Sequence, residues 1–271
     1  MNLKELRIKL KKEFAESAIE TTDVDFIIAE VLEIKRNDVI FVEEISDCQA
    51  DKIIEYSKLR LRNMPVDKIF KKAYFYGLEF YVDENVLSPR PESENLVELA
   101  IKHIEKNNYK TLLDLCCGSG CLGIAIKRNS QVEIDSVDVS EVALKITEKN
   151  MKKNSVNLNL IKSNMFENVK KKYDIIISNP PYISSQEILK LDKEVKCHDP
   201  ILALDGGEDG LVFYREIHEK VKEHLNENGI LILEIGEDQR RDVINIFSDM
   251  NLIDALKDYS GNDRVLSFKF K

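Results

Sequence analysis

Thr111-Leu-Leu-Asp-Leu-Cys-Cys-Gly-Ser-Gly-Cys121 opens with a short apolar run and breaks at Gly118 and Gly120. The residues after it, Leu122-Gly-Ile-Ala-Ile-Lys127, return to helical spacing. Strand, tight turn and helix in that order are the start of a βαβ unit. Outward from this stretch the same alternation recurs. The spacing predicts helices over 93–106, 120–129, 140–153, 211–226 and 238–249, with strands over 111–116, 132–138, 158–162, 173–178 and 229–235 and further strands near 252–258 and 264–270. Such a series predicts an α/β fold with a mostly parallel, doubly wound sheet, whose ligand crevice lies beyond the carboxyl ends of the strands.

Upstream the period changes. Leu3, Leu6, Leu10 and Phe14 fall on one helical stripe, and Val24, Ile27, Ile28, Val31 and Leu32 on a second, with Thr22 and Asp23 as capping candidates. A third stripe through Ile53, Ile54 and Leu61 ends near Pro65. Short alternating runs between Lys71 and Leu87, punctuated by Gly77, predict a β-hairpin. The expected organisation is a small N-terminal helical domain over 1–72, a β-hairpin linker over 73–89 and the α/β domain over 90–271. A length of 271 residues agrees with two domains at about 150 residues each.

Composition narrows the function classes. Charged residues make up 33% and hydrophobic residues 43%, with only 10 Gly and 6 Pro, which excludes collagen-like and low-complexity chains. No apolar run approaches the ~18 residues of a membrane span, and the N-terminal Met1–Phe14 segment lacks the features of a secretory signal. A cytoplasmic protein with no membrane association is expected. Five cysteines, led by the adjacent Cys116 and Cys117, read as reduced thiols, and Cys116, Cys117 and Cys121 lack the partners of a zinc site, so no metal is expected. The net charge of −9 divides as −1 over residues 1–72 and −8 over the remainder. An acidic catalytic region argues against stable nucleic-acid binding, which draws on a basic face.

Two features at the predicted strand ends carry chemistry. Gly118 and Gly120 allow close ligand approach before a helix whose first amides are free, and Ser136-Val-Asp138 places a carboxylate at the tip of the neighbouring strand, where it accepts from ribose hydroxyls. The loop lacks the G-x-G-x-x-G of dinucleotide enzymes and fits an S-adenosylmethionine site better. The second feature is Asp174-Ile-Ile-Ile-Ser-Asn179-Pro-Pro-Tyr182. Pro180 and Pro181 lack amide hydrogens and stiffen the chain, so Asn179 and nearby carbonyls become fixed acceptors suited to a planar NH2 group, with Tyr182 to stack on it. The long connection 183–210 reads as a substrate cover, His198 as a solvated loop residue, and Lys170–Lys172 as a surface turn. Arg90, Glu92 and Glu94 fit either a site mouth or an ordinary helix start.

On these residues the chain resembles the release factor glutamine N5-methyltransferases, class I S-adenosylmethionine enzymes. The resemblance extends over Phe75-Tyr-Gly-Leu-Glu-Phe80, Val82-Asp-Glu-Asn-Val-Leu87, Arg90-Pro-Glu-Ser-Glu94, Asn179–Tyr182, Ala203-Leu-Asp-Gly-Gly-Glu-Asp-Gly210, Leu233-Glu-Ile-Gly236 and Asn262-Asp-Arg-Val265. It implies a seven-stranded Rossmann-like sheet with an antiparallel end strand, and methyl transfer to the glutamine of the Gly-Gly-Gln loop in class I peptide chain release factors. It also implies cofactor contacts from Cys116, Cys117, Gly118, Ser119, Gly120, Asp138, Asn164, Met165 and Asn179. Substrate contacts would come from Asn179, Pro180, Pro181 and Tyr182, of which Asn179, Pro180 and Tyr182 would be catalytic. Cys116 stands where the family has Gly, a small addition if its backbone keeps φ below zero, and Asn164 stands where an acidic residue is common. A monomer is expected. Asn-Pro-Pro-Tyr by itself also fits methyl transfer to adenine N6 or another nucleic-acid amine, and a non-catalytic cofactor-binding module is a third alternative.

Overall fold

The computed structural model describes residues Met1–Lys271. The chain forms two compact units, Met1–Lys72 with Lys193–His198, and Ala73–Asp192 with Asp199–Lys271.

The first unit is helical: α1 (Leu3–Glu16), α2 (Thr22–Leu32), a 3-10 turn at Arg36–Phe41, α3 (Asp47–Leu61) and α4 (Val66–Phe70). The predicted stripes form its core, with Leu3, Leu6, Leu10, Phe14, Val24, Ile27, Ile28 and Ile53 all buried. Ser46 and Gln49 close a capping box at the start of α3. The expected caps Thr22 and Asp23 lie inside α2 instead. Its N-cap is Thr21, whose helical backbone (φ −66°, ψ −19°) makes no side-chain cap, while Asp23 accepts from the buried Arg60 at 2.7 Å. Lys193–His198, read from sequence as part of the catalytic region, groups with this unit, and Glu194 pairs with Arg60 at 2.8 Å.

The second unit continues with the hairpin β1 (Lys72–Phe75) and β2 (Leu78–Tyr81), then α5 (Glu94–Asn107), β3 (Thr111–Leu115), α6 (Cys121–Asn129), β4 (Glu133–Asp138), α7 (Glu141–Lys153), β5 (Asn159–Lys162) and β6 (Tyr173–Ser178). The connection 183–210 holds α8 (Ser185–Ile188), α9 (Lys193–His198), which groups with the first unit, and a 3-10 turn at Ile201–Ala203. After it come α10 (Val212–His224), β7 (Leu225–Glu234), α11 (Arg240–Ile246), β8 (Met250–Lys257) and β9 (Asp263–Phe270). The hairpin turns on Tyr76 and Gly77, at φ 51° and 71°, the backbone of a two-residue turn with both central residues left-handed.

The seven strands lie in the order β5-β4-β3-β6-β7-β9-β8. β9 runs antiparallel to both its neighbours, β7 and β8. It lies one place in from the edge, because the chain turns after β8 and folds back between β8 and β7. Side chains alternate across the buried strands. Leu112, Ile175, Ile177, Ile230 and Ile232 pack with α5 and α6 on one face. Leu113, Leu115, Ile176, Leu231 and Leu233 pack with α10 and α11 on the other. The chain runs from β3 outward through β4 to β5 and then returns to β6 on the other side of β3. The reversal opens a crevice at the carboxyl ends of β3 and β6, where Cys116–Gly120 and Asn179–Tyr182 begin.

Candidate active site

The glycine turn after β3 is held from two neighbouring elements. Cys117 N–H donates to the Val137 carbonyl at 2.9 Å, and Gly120 N–H to the Cys117 carbonyl at 2.7 Å. The Asp138 carboxylate accepts from Gly118 N–H and Ser140 N–H, both at 2.8 Å. From α7, Thr147 donates to the Gly118 carbonyl at 2.9 Å, and the buried Asn150 donates to the carbonyls of Ser119 and Tyr81 while accepting from Tyr81 N–H. Thr147 and Asn150 had no role in the sequence reading. Nothing in a polar residue on an amphipathic helix marks it as a loop anchor.

Gly118 and Gly120 are both left-handed, at φ 54° and 78°, for different reasons. A Cβ on Gly120 would stand 2.5 Å from Thr147 Cγ2, so this glycine serves the packing of α6 on α7. A Cβ on Gly118 would meet nothing within 4 Å and would project into open space. Cys116 does not meet the condition under which its side chain would be a small addition: its φ is 60°. Met165 is also left-handed at φ 44°, and the two sulfurs are 3.6 Å apart. Burial pushes the thiols of Cys116 and Cys117 well above their ordinary range and that of Cys121 up to about 12, so none is a ready nucleophile.

One cavity gathers most of the residues singled out from sequence. Cys116, Cys117, Gly118, Ser119, Asp138, Asn164, Met165, Asn179 and Pro181 line it. Gly120, Pro180 and Tyr182 stand outside the lining. Asp138 is pushed up by burial, and its bonds from Ser140 and Gly118 oppose that rise. The Asn164 NH2 donates to Glu167 at 3.1 Å, which turns its carbonyl oxygen elsewhere. Arg90 lines the cavity and pairs with the buried Asp199 at 2.8 Å, which places it at the site. Glu94 instead supports the fold, opening α5 and accepting from Tyr76 N–H at 2.7 Å in the hairpin turn.

Behind Asn179 lies a polar cluster that the sequence reading did not assign. Asn179 Nδ2 donates to Ser93 Oγ at 3.4 Å, and both residues line the cavity. Glu234, at the end of β7, is 2% exposed, and desolvation lifts its carboxyl to about 7 against the pull of hydrogen bonds from Ser93 and Asn179. Its placement after the apolar run Ile230–Leu233, at the tip of a predicted strand, was the available signal. Downstream, Gln239 donates to the carbonyls of Tyr182 and Gly210 at 2.8 and 3.1 Å. Ile183 N–H donates to the Leu204 carbonyl and Gly206 N–H to the Ile183 carbonyl. These bonds seat Ala203–Gly210 directly on the backbone after Pro181. No group of three or more His, Cys, Asp or Glu side chains is arranged to hold a metal.

Comparison with known proteins adds the family. Residues 95–195 match the family model of the methyltransferase small domain. The release factor glutamine methyltransferase of Clostridium acetobutylicum is 39% identical over 235 residues, covering 82% of this chain and 81% of that protein. Its counterpart in Agrobacterium fabrum is 38% identical over 258 residues, covering 91% and 89%. The chain belongs to the release factor glutamine methyltransferase family. A methyltransferase structure from Pyrococcus furiosus shares the fold at a TM-score of 0.55 and 18% identity, covering 78% of this chain and 98% of that one. As a family member the chain is a methyltransferase of Rossmann-like fold, and Asn179 and Pro181 of its strand-end Asn179-Pro-Pro-Tyr182 line the cavity.

Proposed function

We propose that this enzyme transfers a methyl group from S-adenosylmethionine to the side-chain amide nitrogen of the glutamine in the Gly-Gly-Gln motif of class I peptide chain release factors. The observation that carries the reading is the meeting of Asn179 with the glycine turn and Asp138 around one cavity, in a chain of this family. The cavity suits the cofactor. The space beside Gly118 is open, the Asp138 carboxylate keeps lone pairs for a ribose diol beyond its two backbone bonds, and Asn164 retains a carbonyl acceptor for an aromatic amine. Cys116, Cys117, Ser119 and Met165 complete the wall.

When bound, S-adenosylmethionine supplies a methyl group made electrophilic by its sulfonium. An amide nitrogen is a poor nucleophile because its lone pair is delocalised, so the protein's contribution is geometric. Asn179 Oδ1 and the neighbouring strand-end carbonyls accept the two amide hydrogens and turn the nitrogen toward the methyl. Pro180 and Pro181 offer no competing N–H and hold that backbone stiff. Tyr182 stands outside the cavity lining, partly buried against the core, and its carbonyl accepts from Gln239 at 2.8 Å, which anchors the end of the motif. Residues 1–72 serve as the recognition domain for the release factor, 73–89 as the linker and 90–271 as the methyltransferase domain. The enzyme works as a cytoplasmic monomer without stable nucleic-acid binding.

The test is peptide mass spectrometry of a purified class I release factor after incubation with the enzyme and S-adenosylmethionine. One added methyl on the Gly-Gly-Gln glutamine, absent with Asn179→Ala although that variant still binds cofactor, is the expected result. Cofactor binding with no methylation of any release factor would refute the substrate assignment and turn attention to nucleic-acid amines.

A further inference from the structure

We propose that Glu234 is a positioning residue that sets which end of the Asn179 side chain faces the substrate, acting directly and through Ser93. The inference rests on the reading of Asn179 as the acceptor for the substrate NH2 group. An Asn side chain presents a carbonyl on one side and an NH2 on the other, and the two ends differ little in shape. Only the carbonyl end can accept the hydrogens of a glutamine amide. Something must therefore forbid the flipped orientation.

The cluster behind Asn179 supplies that constraint. Ser93 and Glu234 are each 2% exposed, so neither has water as an alternative partner. Asn179 Nδ2 donates to Ser93 Oγ at 3.4 Å, and the pairing of Ser178 with Leu233 sets Glu234 beside Asn179, where Ser93 and Asn179 both favour its ionised form. An ionised carboxylate accepts and never donates, so the Asn179 NH2 group must point toward it and Oδ1 must point away, into the cavity. The Glu234 backbone is fixed as well, since its carbonyl accepts from the buried Tyr214 hydroxyl at 2.9 Å. Glu234 Oε2 is sealed from solvent without a hydrogen-bond partner, an arrangement whose cost is tolerated at sites of function. Once protonated, Glu234 can donate, both orientations of Asn179 become acceptable, and the acceptor aimed at substrate is lost in part of the population.

Charged and titratable groups face Glu234 from several elements. Arg264 of β9 favours its ionised form, and Glu92 of the turn before α5 opposes it. Tyr182 and Tyr214, whose own hydroxyls are pushed up by burial, and the Cys121 thiol of α6 complete the surroundings. Arg90 acts on the same cluster through Tyr182.

The experiment compares wild type, Glu234→Gln and Ser93→Ala as full chains, with a class I release factor and S-adenosylmethionine, recording kcat, both KM values and thermal melting from pH 6 to 9. Glutamine keeps the shape of Glu234 but can donate, so E234Q is expected to lose kcat by about 100-fold at pH 8 with the KM for cofactor unchanged. Its kcat should no longer rise through neutral pH as that of wild type does. The same variant should melt higher than wild type at pH 8, because it removes a buried charge. A purely structural role would lower stability and activity together and leave the pH profile intact. Ser93→Ala, which breaks the relay without touching charge, is expected to lower kcat about 10-fold, and it decides the matter should E234Q fail to fold. Undiminished kcat with a wild-type pH profile in E234Q, or undiminished kcat in Ser93→Ala, overturns the role of Glu234 alone. Failure of wild type to methylate the release factor overturns the substrate reading and this inference with it.

Discussion

Cys116 sits in a left-handed backbone, at φ 60°, beside the glycine turn. That conformation costs a residue with a Cβ roughly 1–2 kcal/mol, and the strand-to-helix turn imposes it whatever side chain is present. Met165 bears a similar strain across a 3.6 Å sulfur contact, so the wall of the cavity holds two strained residues in mutual contact. Replacing Cys116 with Gly relieves the strain, but it loosens the unfolded chain and removes a thiol that packs against Met165. Cys116→Gly is therefore expected to stay within about 1 kcal/mol of wild type in urea unfolding. Cys116→Val, with a branched Cβ in the same left-handed position, is expected to lose about 2 kcal/mol or more. The sequence reading placed Cys116 at the cavity and left the sign of its φ open. A residue with a Cβ favours negative φ, and here the turn overrides that preference.

Between elements, the segment Ala203–Gly210 fixes the shape of the strand-end motif. Gly210 combines φ 72° with a Cβ direction aimed into the Tyr182 carbonyl oxygen, so a side chain there meets both backbone strain and a backbone clash. Gly210→Ala is expected to cost about 2–4 kcal/mol. By displacing Tyr182 and with it Pro181, it should also reduce kcat more than it raises the KM for cofactor, which steady-state kinetics would resolve. This clamp shows where reading from sequence stops. The strands β3, β6 and β7 were legible because burial on both faces leaves uninterrupted apolar runs, and Asn179, Gly118 and Asp138 were legible because they punctuate those runs at their ends. The run of glycines in 203–210 was visible, but its purpose depends on pairing with Ile183 and on Gln239 reaching back from the turn before α11. Neither partner is a neighbour in sequence. The same holds for Ser93 and Glu234, brought to Asn179 from residues 86 positions before and 55 after it. The start of β7 at Leu225 was missed for a related reason: Leu225-Asn-Glu-Asn-Gly229 looks like a helix end until it is paired with Tyr173 across a register shift.

For the whole molecule, buried acids and exposed ion pairs pull the dependence of stability on pH in opposite directions. Asp114 and Glu234 are buried carboxyls each raised to about 7, mainly by desolvation. Between the unfolded carboxyl range near 4 and the folded value near 7, the native state keeps protons that the unfolded chain has released, so stability falls as pH rises through that window and levels off above it. Asp25, Asp174, Asp254 and Asp258 shift downward because hydrogen bonds and cationic partners outweigh burial where burial opposes them. Their contribution is present above pH ~4 and is lost as the medium becomes more acidic. Stability should therefore peak near pH 5 and decline toward neutrality, by roughly 2–3 kcal/mol for each of the two buried acids. Thermal melting of the full chain should show the midpoint of the α/β unit falling by at least ~5 °C between pH 5 and 7.5 and then flattening. Asp114→Asn, which keeps an oxygen for the Gly123 N–H bond of 3.1 Å, should remove part of that decline. A midpoint that rises steadily from pH 5 to 7.5 would mean that both acids are already ionised in the folded enzyme at pH 5. The site would then hold two buried negative charges at working pH without any loss of stability, and the protein dipoles around Asp114 and Glu234 would have to be far stronger than their bonding partners indicate.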